Sequence, residues 1–238
     1  MALWIFAALV SAFIKGLCGV GDAPVFSSIL AFRYDNIQIS PVSVLLSLPA
    51  NVLLAFKNRK ALKRSIWLPL SVLIICGNVP GILLLKNTDT RVLKVWFGFF
   101  IILVGALMLM NELSPKKRKP SKVLLVLIGV LAGVTSGLFG IGVLLVIYMT
   151  QTTDNLKEFK ANICMVYAAE NAVRLLLYVI LGVFTAAHLQ RSLMIFPFIL
   201  IGIFLGMKSS AYLDERKAKI IIMSMLIFSG ISIVISNL

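Results

Sequence analysis

Four ionisable side chains stand inside stretches that are otherwise apolar: Lys15, Asp22, Glu170 and Arg174. Charges in such surroundings are costly and are functional candidates by default. The chemistry open to them is anion handling. The guanidinium of Arg174 offers a planar fork of donors that fits an oxyanion bidentately. Lys15 would add positive potential, and Asp22 or Glu170 could carry a coupled proton. A structural alternative stays open: Glu170 and Arg174 are spaced i, i+4 and can pair on one helix face, and Lys15 and Asp22 flank a single glycine turn and can meet across it.

That turn belongs to a repeated motif. Gly16-Leu17-Cys18-Gly19-Val20-Gly21 returns 121 residues later as Gly137-Leu138-Phe139-Gly140-Ile141-Gly142. A half-helix starting after a glycine turn presents unpaired N–H groups and the positive end of its dipole, which attract anions. Gly19, Gly21, Gly140 and Gly142 are therefore candidate substrate-binding positions, where the absence of Cβ lets backbone come close. The alternative is tight helix packing by small residues. Asn51 and Asn171 occupy matching places in the two copies, and their amides can donate to a bound oxyanion or to a frayed carbonyl. Ser136, with Thr135 beside it, adds a hydroxyl next to the second turn; back-bonding to the helix is the competing role.

Other chemistry lacks its residues. Cys18, Cys76 and Cys164 have no metal-ligand spacing and are expected to be buried free thiols, with no disulfide. His188 is expected to be a solvated loop residue near a membrane edge. No phosphate-binding loop or nucleophile–base set is visible, so no enzyme activity, cofactor or metal is expected.

The elements that must position these residues are membrane segments. The chain has 238 residues, 60% of them hydrophobic, and a mean hydropathy of +1.03. Eight apolar stretches lie at roughly 2–32, 41–56, 66–85, 92–110, 123–150, 161–185, 192–207 and 218–236. Several are long enough to span a bilayer, and the expected class is an all-α, multi-pass membrane protein. Met1 to Trp4 lack a basic leader, so the N-terminus is expected to be the first structural segment. Trp4, Trp67 and Trp96 lie near segment ends and are expected to be interfacial anchors. The net charge of +14 sits in short loops, which points to anionic membrane lipids and not to nucleic acid.

Further matches extend the duplication. Ala50-Asn51 aligns with Glu170-Asn171 at an offset of 120, and Gly81 with Gly206 and Gly105 with Gly230 at an offset of 125. The expected organisation is a first repeat over 1–110, a basic cytoplasmic linker over 111–122 and a second repeat over 123–238. The first and fifth stretches would run roughly 46 and 42 Å as single helices, well beyond a hydrocarbon core of about 30 Å. Two topologies compete. With eight full crossings, the Lys and Arg residues other than Lys15 and Arg174 divide 11 against 10 between the two sides. With the first and fifth stretches folded as re-entrant hairpins, they divide 16 against 5. The positive-inside bias favours the second. It leaves three crossings per repeat, an odd number, and therefore inverted repeats.

The glycine motif in the first segment of each half, the asparagine in the next, the glycine in the third and the basic inter-half loop resemble the TauE/SafE family across nearly the whole chain. The first copy continues as Gly21-Asp22-Ala23-Pro24; the second, Gly142-Val143-Leu144-Leu145, departs from the family's usual run of further glycines and proline. The resemblance implies a secondary transporter or permease for a small sulfur-containing oxyanion, sulfite or an organosulfonate, exporting it across the bacterial cytoplasmic membrane. The alternatives are a passive anion channel and, from another class, an intramembrane enzyme. Such a carrier needs only its substrate and lipids as partners and is compatible with homo-oligomerisation.

Overall fold

The structure, a computed structural model, describes residues 1–18, 20–113, 122–139, 142–153 and 155–209, together with 220, 223, 224, 227, 228, 230, 231 and 233–235. Gly19, Gly140, most of the basic linker and most of the loop 208–219 lie outside the described residues. All regular structure among the described residues is helical: α1 Ala2–Cys18, α2 Asp22–Ala31, α3 Asn36–Lys57, a 3₁₀ turn Arg59–Ala61, α4 Arg64–Asn87, α5 Thr90–Leu113, α6 Lys122–Phe139, α7 Val143–Thr152, α8 Leu156–Ile180 and α9 Ala186–Ser209. Five of these are long and apolar enough to cross a membrane. The chain is a multi-pass membrane protein.

The two longest apolar stretches are the ones that break. The first divides into α1 and the ten-residue α2 at Gly21, whose φ of 96° lies in the left-handed region that favours glycine. The second divides into α6 and the ten-residue α7 after Gly142. There φ is −100°, so this position needs no left-handed residue, contrary to what a shared motif suggests. The start of α8 is set by a local signature: Asn155 Oδ1 accepts from the Glu158 amide at 2.9 Å, the first half of a capping box. Prolines at 69 and 80 in α4 and at 197 in α9 are held within continuous helices, as neighbouring helices permit in membranes.

The chain forms two compact units that cut across the order of the sequence. One comprises Met1–Ser43, Thr88–Pro115 and Ala186–Leu238; the other comprises Val44–Asn87 and Lys116–Thr185. In the first unit α1 packs on α9, and in the second α6 packs on α4. Both pairs use small residues four apart. A Cβ on Gly137 would stand 2.7 Å from the Asn78 carbonyl oxygen and 2.9 Å from Gly81 Cα, and one on Gly16 would stand 3.1 Å from Gly206 Cα and clash with the Ile203 carbonyl. Gly129 meets Leu73, Gly133 meets Gly77 and Gly137 meets Gly81, so α6 and α4 run parallel. Such close backbone approach is how helices associate in lipid, where the hydrophobic effect between them is absent.

Contacts at the ends of the helices show which ends lie together within each unit. In the first, Trp4 at the start of α1 lies 5.0 Å from Tyr34, just past α2, and Arg191 near the start of α9 sits 4.6 Å over the Trp4 ring. Trp4 is only 1% exposed. It is a buried packing residue and not the interfacial anchor expected, because the returning arm and Arg191 cover it. In the second unit, the Lys63 amide donates to Asn162 Oδ1 at 2.9 Å, and Lys63 Nζ lies 2.8 Å from Glu158 Oε1. The α3–α4 loop and the start of α8 therefore share one end. Lys86 Nζ donates to the Leu181 carbonyl at 2.9 Å, which joins the far ends of α4 and α8.

Candidate functional site

One group of buried polar side chains in the second unit collects around Glu170, which is 1% exposed. Its Oε1 accepts from three helices: Asn78 Nδ2 of α4 at 3.0 Å, Ser136 Oγ of α6 at 2.9 Å and Arg174 Nη1, one turn along α8, at 3.2 Å. The same Nη1 donates to the Ser136 carbonyl and hydroxyl oxygens, both at 2.6 Å. Arg174 Nη2 donates to Asn171 Oδ1 at 3.2 Å. Arg174 Nε and Asn78 Oδ1 are buried without a partner. Buried charge must be paired and bonded to persist, and here one carboxylate and one guanidinium neutralise each other with neutral donors around them.

Ser136 is the residue before the glycine motif, three residues from the end of α6, so the cluster sits near the break between α6 and α7. Gly142, which precedes α7, lies half-way along its neighbours. Gly142 faces the Tyr167 ring, 3.1 Å from where a Cβ would stand, and Ile74 at 3.5 Å; these two residues are near the midpoints of α8 and α4. Tyr167 donates its hydroxyl to the Gly142 carbonyl at 2.8 Å. The first turn of α7, Val143-Leu144-Leu145, contains no acid, so the positive end of that half-helix has no carboxylate of its own.

The first unit differs. Lys15 occupies the place in the motif that Ser136 holds in the second copy, and its Nζ donates to Asp22 Oδ2 at 2.7 Å. Asp22 is the first residue of α2. The helix end expected to attract an anion thus already carries a carboxylate, itself paired with Lys15. Asn51, which belongs to the second unit, is buried on α3.

The model of the family described as "Sulfite exporter TauE/SafE" matches residues 4–233. The chain belongs to the TauE/SafE family. No curated protein and no solved structure matches it. For a TauE/SafE chain, the family description gives membrane export of a sulfur oxyanion as the coarse function, and the structure gives the helices that would house it.

Of the residues expected to bind substrate in this TauE/SafE protein, Ser136, Asn171 and Arg174 come together with Glu170, and Gly142 forms part of the adjoining turn. Lys15, Gly21 and the coupling candidate Asp22 form a separate group in the other unit. Gly19 and Gly140 lie outside the described residues. Both ion pairs anticipated from spacing are formed, at 2.7 Å for Lys15–Asp22 and 3.2 Å for Glu170–Arg174. Thr135 bonds back to the Leu131 carbonyl at 3.0 Å. Asn78 was missed. Its signal was available, an amide in the middle of the apolar stretch 66–85. Two further expectations are corrected. His188 lies in the first turn of α9, 8% exposed, because the helix begins earlier than the apolar stretch suggests. Cys76 is exposed on α4, while Cys164 is buried; the apolar helix turns Cys76 outward, and the side chain of Cys18 lies outside the described residues. No cluster of metal-binding side chains occurs among the described residues.

Proposed function

We propose that this TauE/SafE protein is a secondary carrier that moves a small sulfur oxyanion, sulfite or an organosulfonate, outward across the bacterial cytoplasmic membrane, and that it performs no enzymatic reaction. The observation that carries this reading is Arg174: a guanidinium 2% exposed, held among hydroxyl and amide groups beside a broken hairpin. A buried arginine with adaptable neutral partners is suited to planar or pyramidal oxyanions.

The architecture behind it is a pair of inverted repeats, each a re-entrant hairpin and three crossings. Supporting it, α7 leads back from a turn near mid-helix to Asn155, at the end of the unit where α6, running parallel to α4, also begins. Trp4 and Tyr34 likewise join the two ends of the first hairpin. Eight full crossings would separate Lys63 from Glu158 by the thickness of the membrane; they lie 2.8 Å apart. The contacts also repeat under the sequence offsets. Gly16 meets Gly206 as Gly137 meets Gly81, and Gly202 meets Leu9, Ala12 and Phe13 as Gly77 meets Val130, Gly133 and Val134. Each hairpin therefore packs on the crossing contributed by the other repeat.

The deciding experiment is flux of sulfite and of an alkanesulfonate from proteoliposomes containing the purified chain. Saturable flux above that of empty vesicles supports a carrier. Unsaturable flux would replace it with a channel, and no flux of either anion would remove the reading.

A further inference from the structure

Resting on the carrier reading, the geometry points to a single cradle in the second unit that the Glu170 carboxylate and the transported monoanion occupy in turn, so that each anion is carried with one proton. Three helices aim donors at one oxygen of Glu170: Asn78 Nδ2, Ser136 Oγ and Arg174 Nη1, at 3.0, 2.9 and 3.2 Å. Donors converging on one oxygen form the kind of arrangement that binds an oxyanion. Here the oxyanion is tethered to the protein. Arg174 Nε, buried with no acceptor, is a further donor that Glu170 leaves unserved and that a substrate with three oxygens can satisfy.

Charge balance sets the stoichiometry. With Glu170 ionised, the cluster holds one negative and one positive charge. An arriving monoanion would leave one buried negative charge in excess, which is costly. Uptake of one proton by the Glu170 carboxylate from the aqueous side restores neutrality and frees the three donors for the anion. A dianion would still leave an excess charge, so the cradle selects a sulfonate or a singly protonated sulfite over sulfate. Transport is then electroneutral, and export proceeds whenever the outward anion gradient exceeds the opposing proton gradient.

The other titratable groups lie on α8 itself and on the elements packed against it, with Tyr167 three residues before Glu170 and bonded through its hydroxyl to the Gly142 carbonyl. Against α8 pack α4, α7 and the 3₁₀ turn, and α6 is bonded to it through Ser136. Arg64 and Lys86 lie at the two ends of α4, and Arg59 and Lys60 in the turn. Lys157, Glu158 and Lys160 lie in the opening turns of α8, about 15 Å or more along the helix from Glu170. Tyr148 is on α7, and Tyr167 and Tyr178 are on α8. The groups bonded to Glu170 are Asn78, Ser136 and Arg174, and Arg174 is the charged one among them.

The test is equilibrium binding of radiolabelled methanesulfonate, which stays ionised throughout, to the purified full chain between pH 5.5 and 8.5. Proton and anion binding are reciprocal. Wild-type affinity should therefore fall as pH rises, by up to about tenfold per unit for one linked proton. Glu170→Gln should bind with an affinity independent of pH and equal to the acid limit of wild type, because glutamine has no proton to exchange and no charge to compete. A wild-type affinity that ignores pH, or a folded Glu170→Gln that keeps the wild-type slope, overturns the proposal. If Glu170→Gln is not monodisperse, Asn78→Ala decides: weaker binding by about three- to tenfold with the slope retained, as expected for one lost hydrogen bond, supports the cradle, and unchanged binding overturns it. Absence of methanesulfonate and sulfite binding at every pH would instead remove the carrier reading itself.

Discussion

Arg174 carries more of the site than any other residue, and its partners define what its loss does. Arg174→Ala strips Glu170 of its charged partner while Asn78 and Ser136 remain. Breaking a buried pair by removing one member typically costs about 3–5 kcal/mol, so this variant is expected to lose thermal stability in detergent as well as anion binding. Arg33→Ala is the comparison, because Arg33 is exposed at the end of the first hairpin; its stability and affinity should stay near wild type. Replacing Glu170 and Arg174 together by glutamine should cost less than the sum of the single changes, since neither charge is left alone. A double variant whose loss equals the sum of the two would show that the pair does not interact. Asn171→Ala should weaken binding less than Arg174→Ala, since it removes one 3.2 Å contact to Nη2 and leaves the Nη1 contacts in place.

At the scale of elements, the glycines divide into packing positions and turn positions. Gly206 lies against the backbone of α1, where an added Cβ would clash with the Phe13 carbonyl and stand 2.9 Å from its carbon. Backbone atoms cannot move aside as side chains do, so Gly206→Ala is expected to destabilise by roughly 1–3 kcal/mol. Its counterpart Gly81→Ala should do the same in the other unit, where the Cβ would meet Gly137 Cα at 3.0 Å. Gly182 offers a contrast: φ is +69° with nothing within 4 Å of a Cβ. Gly182→Ala therefore meets only backbone strain, of the order of 1 kcal/mol. Melting temperatures of the three variants in one detergent check the ranking; a larger loss at Gly182 than at Gly206 would contradict the close packing of α1 on α9.

For the whole molecule, the proposed re-entrant topology makes a prediction about sidedness. Cysteines placed at Arg59 and Lys157 in a cysteine-free background should react with an impermeant thiol reagent from the same side of sealed vesicles, and one at Asp89 from the opposite side. The basis is the bonding of the 3₁₀-turn region to the start of α8 through Ala61, Lys63 and Asn162, and the joining of the far ends through Lys86 and Leu181. Labelling of 59 and 157 from opposite sides would restore eight full crossings. The same two ends follow the uneven distribution of Lys and Arg, which is a property of sequence and needs no coordinates to count.

Much of this protein was legible without coordinates, because lipid imposes rules that one residue at a time can reveal. Apolar length marked the membrane segments, glycines marked the breaks at Gly21 and Gly142, and i, i+4 spacing marked the Glu170–Arg174 pair. Each depends on neighbours along one helix or across one turn. Tertiary structure decided what depends on partners far apart in sequence. Nothing local says that α6 packs on α4 and α1 on α9, so that each compact unit draws helices from both halves of the chain. Nothing local brings Asn78 to Glu170 across 92 positions, or covers Trp4 with Arg191. The motif also hides a difference that only packing exposes. Its first copy places a carboxylate at the opening of the half-helix, paired with Lys15, and its second places Ser136 within reach of a buried arginine. The repeated motif is written in the residues the two copies share; the candidate site is centred on Ser136, Glu170 and Arg174, in which they differ, once helices from both halves have brought them together.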